Sequence, residues 1–479
     1  MERKGVRRVF GVVFIVAACL AVQSCTTKAA QRQKELGKTV DAGNYLATID
    51  DIKANGKKLY GETNAFLYYM DIGVLYHYSG LYDSSNAYLM KASEIYDDLF
   101  AKSVTNEAAA VLTNDNVRPY RAKPYELVFM HQIAAFNFMA TGKFDEALVE
   151  TRRVQLYFDE WERTVAKAKK YHTDGMFHLF SSLAYERTGE ESNSLISLYK
   201  SVEAYKMGPV PLPMEVRGFA YDRLKAGDRE DDVRLLSLTP NDGANKWDAK
   251  QGQEEIVVVG YAGKGPNLIE QSWSGTYVRD GLLVLTASTK GSKGTETDVI
   301  TLPAPGLPPG NEGKSGTTFH IKLSLPKLET NASKTSYFQA QLGGKTYKSV
   351  VVNDIDKQTK KALDDAWNDI ILRSAVRVVV RTFAMQKAKE RTNIDNPLGN
   401  LMKNVAMDAA AGQMEKADTR MCFMLPQSVH AVRIPVEPGT HTVTLNVYDG
   451  SGGVIGKKEY KDVSVGRGEK KVLFHNSLR

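Results

Sequence analysis

The sequence predicts a multidomain α+β protein: an N-terminal all-α region of tetratricopeptide-like helical repeats, then an antiparallel β sheet or sandwich with a two-helix insertion. Three observations lead there. From residue 40 to residue 236 the pattern is helical, with glycine and proline confined to turns; beyond residue 253 it changes to short β-branched runs; and residues 357–391 and 398–416 form long proline-free stretches inside the β-rich part. At 479 residues the chain exceeds the size at which one core stops growing, and 43% hydrophobic with 25% charged residues is a globular composition.

Residues 1–24 read as a lipoprotein signal peptide. Arg3, Lys4, Arg7 and Arg8 form a basic start, and residues 9–22 are an uncharged, mostly apolar run shorter than the ~20 residues a membrane-spanning helix needs. Val22-Gln23-Ser24-Cys25 stands where the apolar run gives way to polar sequence, so Cys25 is the expected site of lipidation. Val16-Ala17-Ala18-Cys19 fits the strict lipobox pattern but leaves Leu20-Ala21-Val22 beyond the cleavage point, which makes Cys19 the alternative. No Asp follows Cys25, a feature that resembles outer-membrane sorting in bacteria with two membranes. The expectation is an outer-membrane lipoprotein of the cell envelope, held to the membrane by its N-terminal lipid, with residues 25–39 as a tether. After this segment Cys422 is the sole cysteine, which excludes an intramolecular disulfide and a cysteine-only zinc site. The segment also carries three of the formal seven positive charges, and the remainder is too small over this length to imply nucleic acid.

The helical domain spans residues 40–238. Its first clear unit places Tyr69, Ile72, Gly73, Tyr76, Gly80, Tyr82, Ser85, Leu89 and Ala92 at the positions of a tetratricopeptide hairpin: large residues, small residues where helices cross, and a glycine at the turn. Ala135, Phe138, Gly142, Phe144 and Ala147 repeat the pattern, and Ser182, Tyr185, Gly189, Ser194 and Leu198 repeat it more weakly. The turn glycines Gly80, Gly142 and Gly189 are 62 and 47 residues apart, beyond the ~34 of a regular array, so extra segments sit between the hairpins. Pro119 and Pro124 mark one of them, and the prolines at 209, 211 and 213 stop a helix ending near Met207 ahead of a further helix over 214–226. Residues 239–253, polar and turn-rich, read as a linker.

In the β-rich domain, residues 254–479, strands are expected at 255–261, 281–287, 317–325, 346–352, 429–436, 441–448 and 470–475, with an exposed Pro/Gly-rich loop over 303–316. The helical insertion covers residues 357–416. Apolar clusters at Ile370-Ile371-Leu372 and Val378-Val379-Val380 place its first helix under cover on more than one side.

The chain resembles an uncharacterised family of bacterial lipoproteins with N-terminal tetratricopeptide-like repeats and a β-rich C-terminal half. The resemblance is carried by Gly142, Ala147, Val149, Glu150 and Arg153 in the second hairpin and by residues 256–266. Asn353-Asp354-Ile355, Ala417-Asp418-Thr419-Arg420 and Leu425-Pro426 complete it. The family the chain resembles has no established enzymatic activity, so nothing catalytic carries over from it, and no cofactor is expected. Some members are similar to neighbours of an activator of penicillin-binding proteins, which implies a link to cell-wall synthesis.

The remaining motifs point away from catalysis. Residues 308–315 end in Gly313-Lys314-Ser315, but Pro308 stands where a phosphate-binding loop needs glycine, and the stretch neither follows a buried strand nor opens a helix. Residues 260–266 follow a strand, yet the glycine spacing is wrong for a dinucleotide site and Pro266 fits a turn, which leaves Lys264 as the residue to watch. None of the eight histidines has metal-ligand spacing, and no metal is expected. Cys422, between Met421 and Phe423, reads as a small buried residue. Asp364, Asp365 and Asp369 sit early in a helix, where carboxylates favour the macrodipole on a solvated face. Arg373, Arg377 and Arg381 recur every fourth residue as one basic stripe. It serves either to pair carboxylates across a domain interface, with Asp418 and Arg420 close by, or to hold an anionic partner such as a lipid headgroup or peptidoglycan. Tyr69, Tyr76 and Tyr82 match packing positions, whereas Tyr68, Tyr78 and Tyr88 are expected to be exposed as a partner-binding face. The functional expectation is an envelope scaffold or adaptor that binds protein partners through its helical repeats. The alternative is an envelope glycan-binding protein or hydrolase with its site between the β domain and the helical insertion.

Overall fold

Helical hairpins form the first half of the chain. The computed structural model describes residues 36–103, 116, 118–164, 174–240, 242, 247, 252–278, 282–291, 294–303, 319–392 and 416–479. After a short helical stretch at 36–41 come α1 (Tyr45–Leu59), α2 (Ala65–Tyr78), α3 (Tyr82–Ser103), α4 (Pro124–Ala140) and α5 (Phe144–Thr164). They are followed by α6 (Gly175–Arg187), α7 (Glu191–Met207), α8 (Met214–Ala226) and α9 (Glu230–Leu235). Gly80, Gly142 and Gly189 end α2, α4 and α6 with φ of 73°, 77° and 79°. A Cβ is strained in that left-handed conformation, so each hairpin turns at its glycine.

Small residues let the paired helices approach closely. Ser85 Oγ donates to the Gly73 carbonyl at 2.7 Å, Ser194 Oγ to that of Ser182 at 2.8 Å, and Ser201 Oγ to that of Gly175 at 2.7 Å. The first helix of each hairpin is apolar around most of its circumference, and every residue from Tyr125 to Asn137 of α4 is buried. Such a helix needs cover on two sides. α3, α5 and α7 supply one side, and a β sheet supplies the other.

That sheet is built from β1 (Glu255–Lys264), β8 (Val350–Asp354), β9 (Pro426–Pro435) and β12 (Lys470–Ser477), in the order β12-β1-β9-β8. β1 is antiparallel to β9 but parallel to β12, so the sheet is mixed where an antiparallel one was expected. Parallel neighbours need a long connection, and here nearly the whole C-terminal half lies between them. Residues 255–263 of β1 are all buried, because its alternating side chains meet different layers. Val257, Val259 and Tyr261 join Val429, Ala431 and Val472 in one apolar core with the helices. Ile256 and Val258 face a second sheet, made of β6 (Tyr337–Leu342), β7 (Lys345–Lys348), β10 (Gly439–Tyr448) and β11 (Val454–Val465) in the order β11-β10-β6-β7. Phe338, Ala340, Val443, Leu445 and Val447 complete that second core.

A third sheet, order β4-β3-β2-β5, comprises β2 (Asn267–Val278), β3 (Leu282–Gly291), β4 (Gly294–Pro303) and β5 (Phe319–Glu329). Across it lies α10 (Ile355–Arg391), whose Ile371, Ala375 and Val378 pack on Trp273, Leu285, Leu323 and Leu325.

Six of the expected strands are present as single strands, the run at 346–352 divides at Ser349 into β7 and β8 of different sheets, and β2, β4, β6 and β11 were missed, since their outward positions are polar and the apolar signal is halved. The first insertion helix begins at Ile355, while residues 393–415, including nearly all of the expected second helix, lie outside the described residues. So do residues 1–35, the loop at 304–318 and most of 239–253. Within that linker Trp247 is buried against Phe219, with ring centroids 6.1 Å apart, and Asp242 pairs with Arg217 at 2.9 Å. The tether is also shorter than expected: Leu36 and Val40 already belong to the core.

Candidate functional site: a tyrosine and lysine face

Three helices bring their aromatic and basic residues together on the side of the hairpins away from the first sheet. On α2, Tyr69 and Tyr76 are seven residues apart and so share a face, with Tyr68 beside them; Tyr88 and Lys91 stand one turn apart on α3, and Lys53 projects from α1. The rings interlock, with centroid separations of 5.1 Å for Tyr68 and Tyr69, 5.9 Å for Tyr69 and Tyr88, and 5.5 Å for Tyr76 and Tyr88. Gly56 of α1 admits the Tyr68 ring, since a Cβ there would lie 2.7 Å from it. Lys53 Nζ donates to Tyr76 Oη at 2.6 Å and lies 5.0 and 5.2 Å from the Tyr76 and Tyr88 ring centres. Lys91 Nζ lies 5.6 and 5.9 Å from those of Tyr69 and Tyr88. These are cation–π distances, each contact worth about 0.5–1 kcal/mol at an exposed site. The Tyr76 hydrogen bond raises the Lys53 pKa and so holds its ammonium form. All four rings are half-buried, rigid and edged with hydroxyls, and Lys53 is exposed. The arrangement offers aromatic contact area and fixed positive charge, suited to a carboxylate-bearing surface.

Tyr68 and Tyr88 therefore lie on this face, though half-buried against the core rather than exposed as expected, and Tyr78 does not lie on it. It is buried, its hydroxyl donates to the Met424 carbonyl at 3.0 Å, and its ring packs on Tyr45 and Tyr261 at 5.6 and 5.4 Å. The residue faces the first sheet, a neighbour more than a hundred residues away that a local pattern cannot report. Tyr69 and Tyr76, assigned to packing, do pack against the core while their outer edges join this face, and Lys53 and Lys91 were missed as surface groups. The signal for the two tyrosines was present in the seven-residue spacing of 69 and 76.

The arginine stripe does not form one surface. Arg377 is only 2% exposed, Arg373 is exposed and Arg381 half-buried. A four-residue step advances 40° beyond a full helical turn, so the stripe winds from solvent into the interface. Asp418 and Arg420 are engaged elsewhere: they pair with each other at 2.8 Å, and Arg420 also donates to Asn64 at 3.0 Å and to the Arg118 carbonyl at 2.8 Å. Asp364, Asp365 and Asp369 are exposed, the first two paired with Lys360 and Lys361, and do not converge on a cleft. The contacts of Ile371, Ala375 and Val378 of α10 with the third sheet are apolar, while Ser374 and Arg377 of the same helix are buried as well. Lys264 pairs with Asp41 at 2.9 Å. Cys19 and Cys25 lie outside the described residues.

Polar groups also collect inside, along the seam between helices and sheet. Asp71 accepts from Tyr60 Oη at 2.8 Å, Cys422 Sγ at 2.9 Å and the amides of Phe423 and Met424 at 3.0 and 3.2 Å. Glu126 accepts from Tyr120 Oη at 2.5 Å and from the Lys123 and Cys422 amides, both at 2.9 Å. His77 bridges Asn137 at 2.6 Å and Tyr261 at 2.8 Å. Asp174 caps α6 through the Phe177 amide at 2.8 Å and accepts from Asn353 at 3.2 Å and Gln358 at 3.0 Å. Burial pushes Asp71 and Asp174 up to about 6, His77 down to about 4, and the Cys422 thiol well above its ordinary range. Enclosed and hydrogen-bonded in this way, these groups fix the seam in one register.

Among the described residues no three His, Cys, Asp or Glu side chains converge as a metal site, and no helix is long and apolar enough to cross a membrane. Comparison with family models, curated proteins and solved structures finds no match.

Proposed function

We propose that this protein is a lipid-anchored scaffold of the cell envelope whose helical hairpins, of tetratricopeptide type, dock an acidic protein partner on the tyrosine and lysine face. The observation that carries the reading is the convergence of Tyr68, Tyr69, Tyr76 and Tyr88 with Lys53 and Lys91 on one accessible surface. The opposite side of the hairpins is filled by the chain's own first sheet, so the docking role falls to this outer side. Cys25, or Cys19 in its place, supplies the anchor to the outer membrane, and the link to cell-wall synthesis rests on the family resemblance alone. The alternative, a site between the β domain and α10, is the less favoured reading because the described contacts there are mainly apolar.

Chemical cross-linking in envelope extracts, followed by pull-down, tests the docking role. Tyr68→Ala with Tyr88→Ala should lose a partner that the parent protein retains, by about tenfold or more, since aromatic anchors at interfaces are worth ~2 kcal/mol or above. Retention of every partner by the double variant would refute it. Palmitate labelling that disappears in Cys25→Ala supports the anchor, and labelling that persists there but disappears in Cys19→Ala moves it.

A further inference from the structure

The outer face of the second sheet carries an ordered array of polar side chains that neither the hairpins nor the seam uses. Strand register sets it out in rows. Asn446 of β10 lies between Lys457 of β11 and Gln339 of β6, and Gln339 is followed by Lys348 of β7. The row beside it runs Glu459, Thr444, Gln341 and Thr346 across the same four strands. Tyr448 opposite Tyr337 forms a third row, the rings stacked at 4.7 Å and 7° with Lys348 Nζ 4.3 Å from the Tyr337 ring centre. Directly paired residues point to the same face, and Phe338, Ala340, Leu445 and Val447, which alternate with these positions, point into the core. The array therefore faces outward as a unit, and its outer members Gln341, Thr346, Lys348 and Lys457 are exposed.

Two features separate it from an ordinary solvated face. Asparagine is depleted in strands, and lysine, glutamate and threonine serve solubility well, yet side-chain amides occupy the centre of this face. Among the described residues, Gln339, Gln341 and Asn446 form no side-chain hydrogen bond, although Asn446 is only 8% exposed. Amides, phenols and threonine hydroxyls both donate and accept, which matches a ligand made of hydroxyls. The amide row ends in a lysine on either side, over about 14 Å for four strands at ~4.8 Å spacing. Glu459 in the adjacent row is held by Lys461 at 3.5 Å, so the face keeps a positive balance.

The geometry points to a glycan-binding face on the second sheet that takes a linear, acidic oligosaccharide across its strands. Asn446 and Gln339 engage sugar hydroxyls at the centre of the row, and Lys348 and Lys457 engage the acidic groups at its ends. The site is independent of the tyrosine and lysine face on the helices.

Affinity electrophoresis of the full chain in gels containing polygalacturonate or dextran tests it. Polygalacturonate should retard the protein and dextran should not, and Gln339→Ala with Asn446→Ala should weaken the retardation about tenfold although no charge is changed. Gln339→Ala alone, at a half-buried position, gives the same direction if the double variant proves unstable. Lys143→Ala, at an exposed lysine of a hairpin turn outside both faces, should leave retardation unaltered. No retardation by polygalacturonate, or retardation undiminished by loss of the amides, overturns the assignment, the latter showing simple ion exchange on lysines.

Discussion

Buried histidines govern how single residues make this protein respond to acid. Burial pushes His77, His430 and His475 down to about 4 and His178 to about 3, from an ordinary 6.5. The unfolded chain takes up those protons first, so the stability each histidine contributes is present above pH 6.5 and lost as pH falls. Asp71 and Asp174 act in the opposite sense: raised from 3.8 to about 6, they contribute stability below 3.8 that is lost as pH rises through 6. At pH 5 each histidine has lost roughly 2 kcal/mol and each aspartate has gained about 1 kcal/mol, at ~1.4 kcal/mol per unit. Four losses outweigh two gains. The urea midpoint should therefore fall between pH 7 and pH 5, and a midpoint that rises would show the carboxylates to dominate. At this scale Cys422 was legible as buried, because its neighbours are apolar. Its hydrogen bond to Asp71 was not, because 351 residues separate the two.

Among the elements, β1 shows what a local pattern conveys and what it hides. Its β-branched run announces a strand, and its burial on both faces leaves no polar alternation to blur the signal. Gly260, read from sequence both as part of the strand 255–261 and as the head of a turn over 260–266, is a paired residue within β1, opposite His430 and His475. A Cβ there would stand 2.6 Å from the Phe338 ring of the second sheet. Gly260→Ala should destabilise the protein by about 2 kcal/mol through overpacking. Phe338→Leu in the same chain should recover part of that loss, measured as non-additivity in chemical denaturation. Strictly additive effects would mean that the two sheets do not meet at Gly260. The strands β2, β4, β6 and β11 escaped detection for the converse reason: their polar outward positions, Gln339 and Gln341 included, dilute the apolar period on which sequence reading depends.

At the scale of the whole molecule, the change from helix to strand near residue 240 marks a change of structure but not of core. Val257, Tyr261 and Val429 belong to the same apolar cluster as Phe136 and Met70. The helical hairpins and the first sheet should unfold in one calorimetric transition, and residues 36–240 expressed alone should aggregate or bind a hydrophobic dye strongly. Two separate transitions with a soluble, dye-silent helical fragment would contradict this. The parallel pairing of β1 with β12 has a further consequence, in the time of synthesis. Phe474 packs on His77 at 4.7 Å and on Phe136 at 5.4 Å, so residues of the first hairpins wait for a partner made roughly 400 residues later, about 20–80 s at ~5–20 residues per second. Until that strand emerges the core stays open, and the apolar faces of the first hairpins are exposed to misassociation for nearly all of the chain's synthesis.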